Sequence, residues 1–239
     1  MRALQHSIDF FFERWGLVIF FSIPFFFALL IPTFVSAPSF IALGGVFLRT
    51  GSIPEIGLFE AGIAAFAYLI SLYIISDSIA NINLVIKSKR TLTKISNQVW
   101  KALGTFAVGI FLVYTIAAIL LLIFQLVTFE LPARDILLPV LMLLLSLALF
   151  FVPPAIVIDG LPPWRAVAAS MKMVPGKLDS IIMWIVIGAV LLTVSEFVFL
   201  FLPYPFGQYA VLLFNSVVVI PFLLIYQTNI YMKKYGLAY

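Results

Sequence analysis

Six long apolar runs set the plan of this chain: residues 16–35, 59–86, 102–129, 136–158, 180–202 and 209–232, separated by five short polar connections. A spanning helix needs about 20 apolar residues, at ~1.5 Å rise each, to cross ~30 Å of hydrocarbon. Four of the runs meet this with no charge at all. The second holds Glu60 and Asp77, and the fifth holds Glu196. Barrel strands would be about 10 residues long with every second residue polar, whereas these runs are continuously apolar. The pattern predicts an all-α fold: a polytopic bundle of six transmembrane helices forming a single integral membrane domain over residues 1–239.

The segments on one side of the runs are amphipathic. Leu4, Ile8, Phe11, Phe12 and Trp15 recur at helical spacing, with Gln5, His6, Asp9 and Glu13 between them. Leu92, Ile95, Val99 and Leu103 form a stripe beside Lys94, Asn97, Gln98 and Lys101. Trp164, Val167, Ala168 and Met171 do the same beside Arg165 and Lys172. Such helices lie along lipid headgroups, so three interfacial amphipathic helices are expected. Each is followed by a glycine, at 16, 104 and 176. The chain then reads as three tandem units, 1–86, 87–158 and 159–239, each an interfacial helix with a transmembrane hairpin. The other reading is that any loop beside a membrane is basic and aromatic. The long connection at residues 36–58 is expected to carry a short surface helix over residues 40–48, or a segment dipping into the outer leaflet. Pro24, Pro32, Pro153, Pro154 and Pro221 interrupt the spans and are expected to kink them.

Composition agrees with the pattern: 64% of the 239 residues are hydrophobic and 10% charged, against about half and a quarter in soluble domains. Charge adds orientation. Arg2, Arg14, Lys87, Lys89, Arg90, Lys94, Lys101, Arg165, Lys172, Lys177, Lys233 and Lys234 lie on one face, and only Arg49 and Arg134 on the other. Cations in short loops mark the cytoplasmic side, so both termini are expected there, in a cell membrane. Asp9 and Glu13 in the would-be basic region, and Pro38 after the only small-residue stretch, argue for a retained first helix rather than a cleaved signal. Lys87, Lys89, Arg90, Lys94, Arg165 and Lys172 are expected to contact anionic headgroups. Membrane lipid is the expected partner, nucleic acid is not, and a protein partner or homo-oligomer is left open.

Asp77 is the polar residue most out of place. It lies about 15 Å along a helix from Lys87, within the inner half of the hydrocarbon. A charge at mid-membrane costs at least ~2.5–3.5 kcal/mol on insertion scales, so it should face protein or water. Tyr73 and Asn81 lie one turn away on either side, and Ser78 adds a hydroxyl. These four make a candidate intramembrane polar site. It reads as a proton relay, a cation ligand or a counter-charge for a headgroup or substrate, or else as an acid that ties two helices by hydrogen bonds. Glu196 sits nearer the outer surface and is expected to reach headgroup water. Gln125, Asn215, Gln227 and Asn229 are expected to bond between helices. No cysteine is present, and His6 is the sole histidine, so thiolate and His/Cys metal chemistry is not expected. Phosphate-gripping glycine motifs, nucleophile elbows and zinc-protease motifs are missing as well. No cofactor is expected.

One stretch has a recognisable form: Phe150-Phe151-Val152-Pro153-Pro154-Ala155-Ile156-Val157-Ile158-Asp159-Gly160, continuing as Leu161-Pro162-Pro163-Trp164-Arg165-Ala166-Val167-Ala168-Ala169-Ser170 and a basic segment to Gly176-Lys177. It resembles a broad group of six-helix prokaryotic proteins, with an archaeal branch, related to the membrane domain of some glycerophosphodiester phosphodiesterases. The resemblance covers about thirty residues closely, and the catalytic domain of the fused relatives has no counterpart. It implies a stand-alone membrane module rather than an enzyme. Read physically, Pro153 and Pro154 weaken the end of a span, Asp159-Gly160 turns the chain, and Pro162 or Pro163 starts the next helix. Asp159 is expected to favour that helix's dipole. The functional expectation is a non-enzymatic protein that binds or organises lipid or scaffolds a partner. The competitor is a small solute or ion transporter or channel using Asp77.

Overall fold

The structure, a computed structural model, describes residues 2–34, 40–43, 46–49, 58–91, 95–131, 133–203 and 206–233. These are helical except for one short ribbon. Helices α1 (Arg2–Glu13) and α2 (Trp15–Phe34) precede strands β1 (Phe40–Leu43) and β2 (Val46–Arg49). Then come α3 (Leu58–Thr91), α4 (Ile95–Val127), α5 (Arg134–Leu149), α6 (Val152–Asp159) and α7 (Pro163–Met173). A 3₁₀ turn at Pro175–Lys177 leads into α8 (Leu178–Phe199). Helix α9 (Phe206–Phe214) passes through a π-helical turn, Asn215–Val219, into α10 (Ile220–Met232). Among the described residues, five helical stretches are long and apolar enough to cross a membrane, and six if α1 and α2, bent by 90° at their junction, are counted as one.

Two expectations need correction. The connection between α2 and α3 carries no surface helix over residues 40–48. Phe40 pairs with Arg49 and Leu43 with Val46 in an antiparallel ribbon, which leaves only Gly44 and Gly45 between the strands. A Gly-Gly pair between short apolar, β-prone runs is a hairpin signal. The second amphipathic stretch is not a separate helix either: Ile95 to Val127 is continuous. Gly104 alone costs a helix only about 1 kcal/mol, and no proline supports a break there. The fourth run is interrupted beside Pro153 and Pro154 as expected, dividing at Phe150–Phe151 into α5 and α6, while residues 134–159 together remain long and apolar enough for one span.

The interfacial stripes of α1 and α7 are also split by the fold. Ala3, Ser7 and Phe10 are buried, and Phe11 packs edge-on against Phe222 of α10 at 6.1 Å. Ile8, Phe12 and Trp15 remain exposed. On α7, Ala166 and Ser170 are buried while Trp164 and Met171 are exposed. Each helix therefore has one face for protein and a second apolar face beside its charges.

The core gathers around α6 and α10. Val152 to Val157 of α6 are all buried, as is every residue of α10 from Leu223 to Met232. Large apolar side chains are exposed along α5 and α8, as expected of surface that faces lipid. Close approach shows at Gly207, the start of α9. A Cβ there would stand 2.8 Å from the Phe199 carbonyl oxygen and 3.1 Å from that of Leu202. Backbone cannot yield cheaply, so Gly207→Ala is expected to cost about 1–3 kcal/mol, measured as a lowered Tm in detergent.

Candidate functional site

The two prolines that open α6 remove backbone donors, and the fold replaces them. The carbonyl of Phe150 would accept from the residue four positions on, but Pro154 has no N–H. Gln227, fully buried on α10, donates its Nε2 to that carbonyl instead. The bend also frees the N–H of Phe151, which donates to Ser170 Oγ of α7 at 3.0 Å. Buried backbone groups are nearly always paired, and here two side chains from distant elements do it.

The other end of α6 is closed by a different set. Gly160 takes the left-handed conformation, φ 66°, and its N–H bonds to the Ala155 carbonyl. Gly is the residue that adopts this without a Cβ penalty. Lys87 of α3 donates Nζ to the carbonyl of Val157 at 2.7 Å, and its ammonium stands 5.5 Å from the centre of the Phe106 ring. A cation at a helix C-terminus complements the negative end of the dipole. Asp159 attracts the same ammonium, and its Oδ2 accepts from Tyr231 Oη of α10 at 2.6 Å. Asp159 ends α6, and α7 begins at Pro163 with Pro162 as its N-cap and no side-chain cap bond.

Polar residues of α10 reach outward in several directions. Thr228 Oγ1 donates to Asn83 Oδ1 of α3 at 2.6 Å, and Asn229 Nδ2 to Ser7 Oγ of α1 at 2.8 Å. With Gln227 and Tyr231 they tie α1, α3, α6 and the Phe150 turn to one helix. Gln227 and Asn229 are among the residues the sequence predicts to bond between helices. Asn215 is another, accepting from Ser195 Oγ of α8 at 2.7 Å. Tyr231, Thr228, Asn83 and Ser170 escape sequence reasoning. The available signal is that polar residues crowd 227–231 without forming a single stripe.

The Asp77 group is brought together in part. Asn81 Nδ2 donates to Asp77 Oδ2 at 3.0 Å. Ser78 and Asn81 are buried. Asp77 Oδ1, Ser78 Oγ and Asn81 Oδ1 are buried and have no hydrogen-bond partner among the described residues. The Tyr73 ring packs edge-on against Phe111 of α4 at 5.7 Å. Among the expected headgroup contacts, Lys87 is turned to protein as described. Arg165 and Lys172 are exposed, seven residues apart and so on one face of α7. The side chains of Lys89 and Arg90, and Lys94 altogether, lie outside the described residues.

Helix α5 packs on α4 and α7, and α8 on α9 and α10, but α5 and α8 do not pack along one another. The ring of Phe150, the residue after α5, meets Trp184 of α8 edge-on at 5.1 Å, and Trp184 Nε1 is anchored on the Leu223 carbonyl at 2.7 Å. Exposed Ile136, Val140 and Leu143 line α5, and exposed Val186, Val190 and Val194 line α8. The C-terminal end of α5 and the N-terminal end of α8 are joined through α6 and α7. No family model, curated protein or solved structure matches this chain.

Proposed function

We propose that this chain is a six-span protein of the cell membrane, both termini cytoplasmic, that binds lipid and performs no catalysis. The observation that carries the reading is the parting of α5 and α8 above the Phe150–Trp184 contact. Two helices that do not pack on each other and expose aliphatic side chains are covered by acyl chains in a bilayer. Arg165 and Lys172 on α7, which joins the cytoplasmic ends of this gap, supply charge for an anionic headgroup. Kinship with the membrane domain of glycerophosphodiester phosphodiesterases is part of the proposal, and rests on residues 150–177. The paired Arg and Lys suit phosphate because a guanidinium binds it bidentately and an ammonium adds a point charge.

A variant keeping Trp184 as its only tryptophan reports on the gap. In vesicles containing brominated lipid, anionic phosphatidylglycerol is expected to quench Trp184 at least about twofold more than phosphatidylcholine at equal mole fraction. Changing Arg165 and Lys172 together to Gln should erase that preference, since each basic contact contributes about 1 kcal/mol near an anionic surface. Equal quenching by the two lipids in the unmodified protein would rule the reading out.

A further inference from the structure

We infer that Asp77, Ser78 and Asn81 form a binding site for one alkali cation, Na⁺ or K⁺, in the inner half of the bundle. This goes beyond lipid binding and uses none of its residues. The three side chains lie within one turn of α3, with Asn81 stacked over both Asp77 and Ser78. The Asn81 amide is oriented by its donation to Asp77 Oδ2 at 3.0 Å, because a carboxylate accepts and does not donate. That orientation commits the remaining atoms. Asp77 Oδ1, Asn81 Oδ1 and Ser78 Oγ are three buried oxygens, none with a partner among the described residues.

A buried acceptor without a donor is costly, all the more beside hydrocarbon. The Ser78 hydroxyl is also a donor, but its lone pairs stay open, and a hard cation takes all three oxygens as ligands. Charge selects the valence. The group carries one carboxylate and two neutral oxygens, so a monovalent ion is neutralised, while a divalent ion would leave a net positive charge in a low dielectric. No other acid stands within a turn of Asp77 on α3 to hold a second charge. Glu60 lies seventeen residues away along the same helix.

The test is thermal unfolding of the full chain in detergent, with NaCl or KCl replacing choline chloride at constant ionic strength. Binding to the folded state raises Tm by mass action, and at ten times the half-saturating concentration a shift of about 3–6 °C is expected. Asp77→Asn should abolish the shift. Ser78→Ala should raise the half-saturating concentration at least about tenfold, as loss of a supporting group around a metal does, and Ser78→Thr should restore it. A Tm that follows pH but not alkali salt would overturn the inference, leaving Asp77 as a protonated tie between helices. So would an alkali shift that survives Asp77→Asn, or a half-saturation that Ser78→Ala does not move. The serine pair keeps the test decisive if Asp77→Asn fails to fold.

Discussion

Gln227→Leu is expected to destabilise the protein by about 1–2 kcal/mol, the cost of leaving one buried polar group unpaired, reduced because Gln227 Oε1 is itself buried without a partner among the described residues. The leucine fits the volume and is more apolar, so a reading based on hydrophobicity alone would expect stabilisation. The sign is reversed by Pro154. Because that residue has no N–H, the Phe150 carbonyl depends on the Gln227 amide. The same logic gives a rescue. In a Pro154→Ala background, residue 154 can donate to the Phe150 carbonyl within the helix, and Gln227→Leu should then cost much less. A double-mutant cycle on Tm in detergent reads the coupling. Additive effects would mean that the proline and the glutamine are unrelated. Ser170→Ala belongs to the same account, since it strands the Phe151 N–H.

Asp159→Ala comes second, with an expected loss of about 2 kcal/mol; fully buried pairs lose about 3–5 when one partner goes, and this one is partly exposed. The substitution removes both the acceptor of Tyr231 Oη and the counter-charge of Lys87. Asp159→Asn separates the two, keeping an acceptor for the tyrosine while discarding the charge. Adding Lys87→Met to Asp159→Asn should recover part of the loss, because an unpaired cation against buried protein is worse than an apolar chain of similar length. Recovery will be incomplete, since the Val157 carbonyl loses its donor. If Asp159→Ala unfolds at the same temperature as the unmodified protein, the C-terminal closure of α6 has been misread.

The spans are legible in the chain because crossing hydrocarbon needs length and apolarity, and both are local properties. Breaks are less legible. Pro153-Pro154 announces a weak point, yet only the tertiary partners Gln227 and Ser170 make a buried kink tolerable there. Gly44-Gly45 carried a hairpin signal, but the length of the connection drew attention to helix instead. The continuity of α4 through Gly104 shows that a glycine alone does not end a helix. Charge was the most misleading cue in one place. Lys87 sits at the head of a basic cluster, where a solvated cation is the natural expectation, yet it caps a carbonyl seventy residues away. Pairings such as Asn83 with Thr228, 145 residues apart, join residues with no local periodicity to link them. The Asp77 group is readable because Asp77, Ser78 and Asn81 share one turn, whereas the contact of the Tyr73 ring with Phe111 reaches another helix.

The contact between Ser7 and Asn229 joins residues 222 positions apart, and it has a consequence for biogenesis. Helix α1 takes its berth on α10, which is synthesised more than two hundred residues later. Until α10 is inserted, the Ser7 hydroxyl still donates to the Ala3 carbonyl of its own helix, but the flank of α1 that α10 covers stays open. Long-range closure of this kind is slow, which gives a chaperone or the lipid surface time to act on that flank.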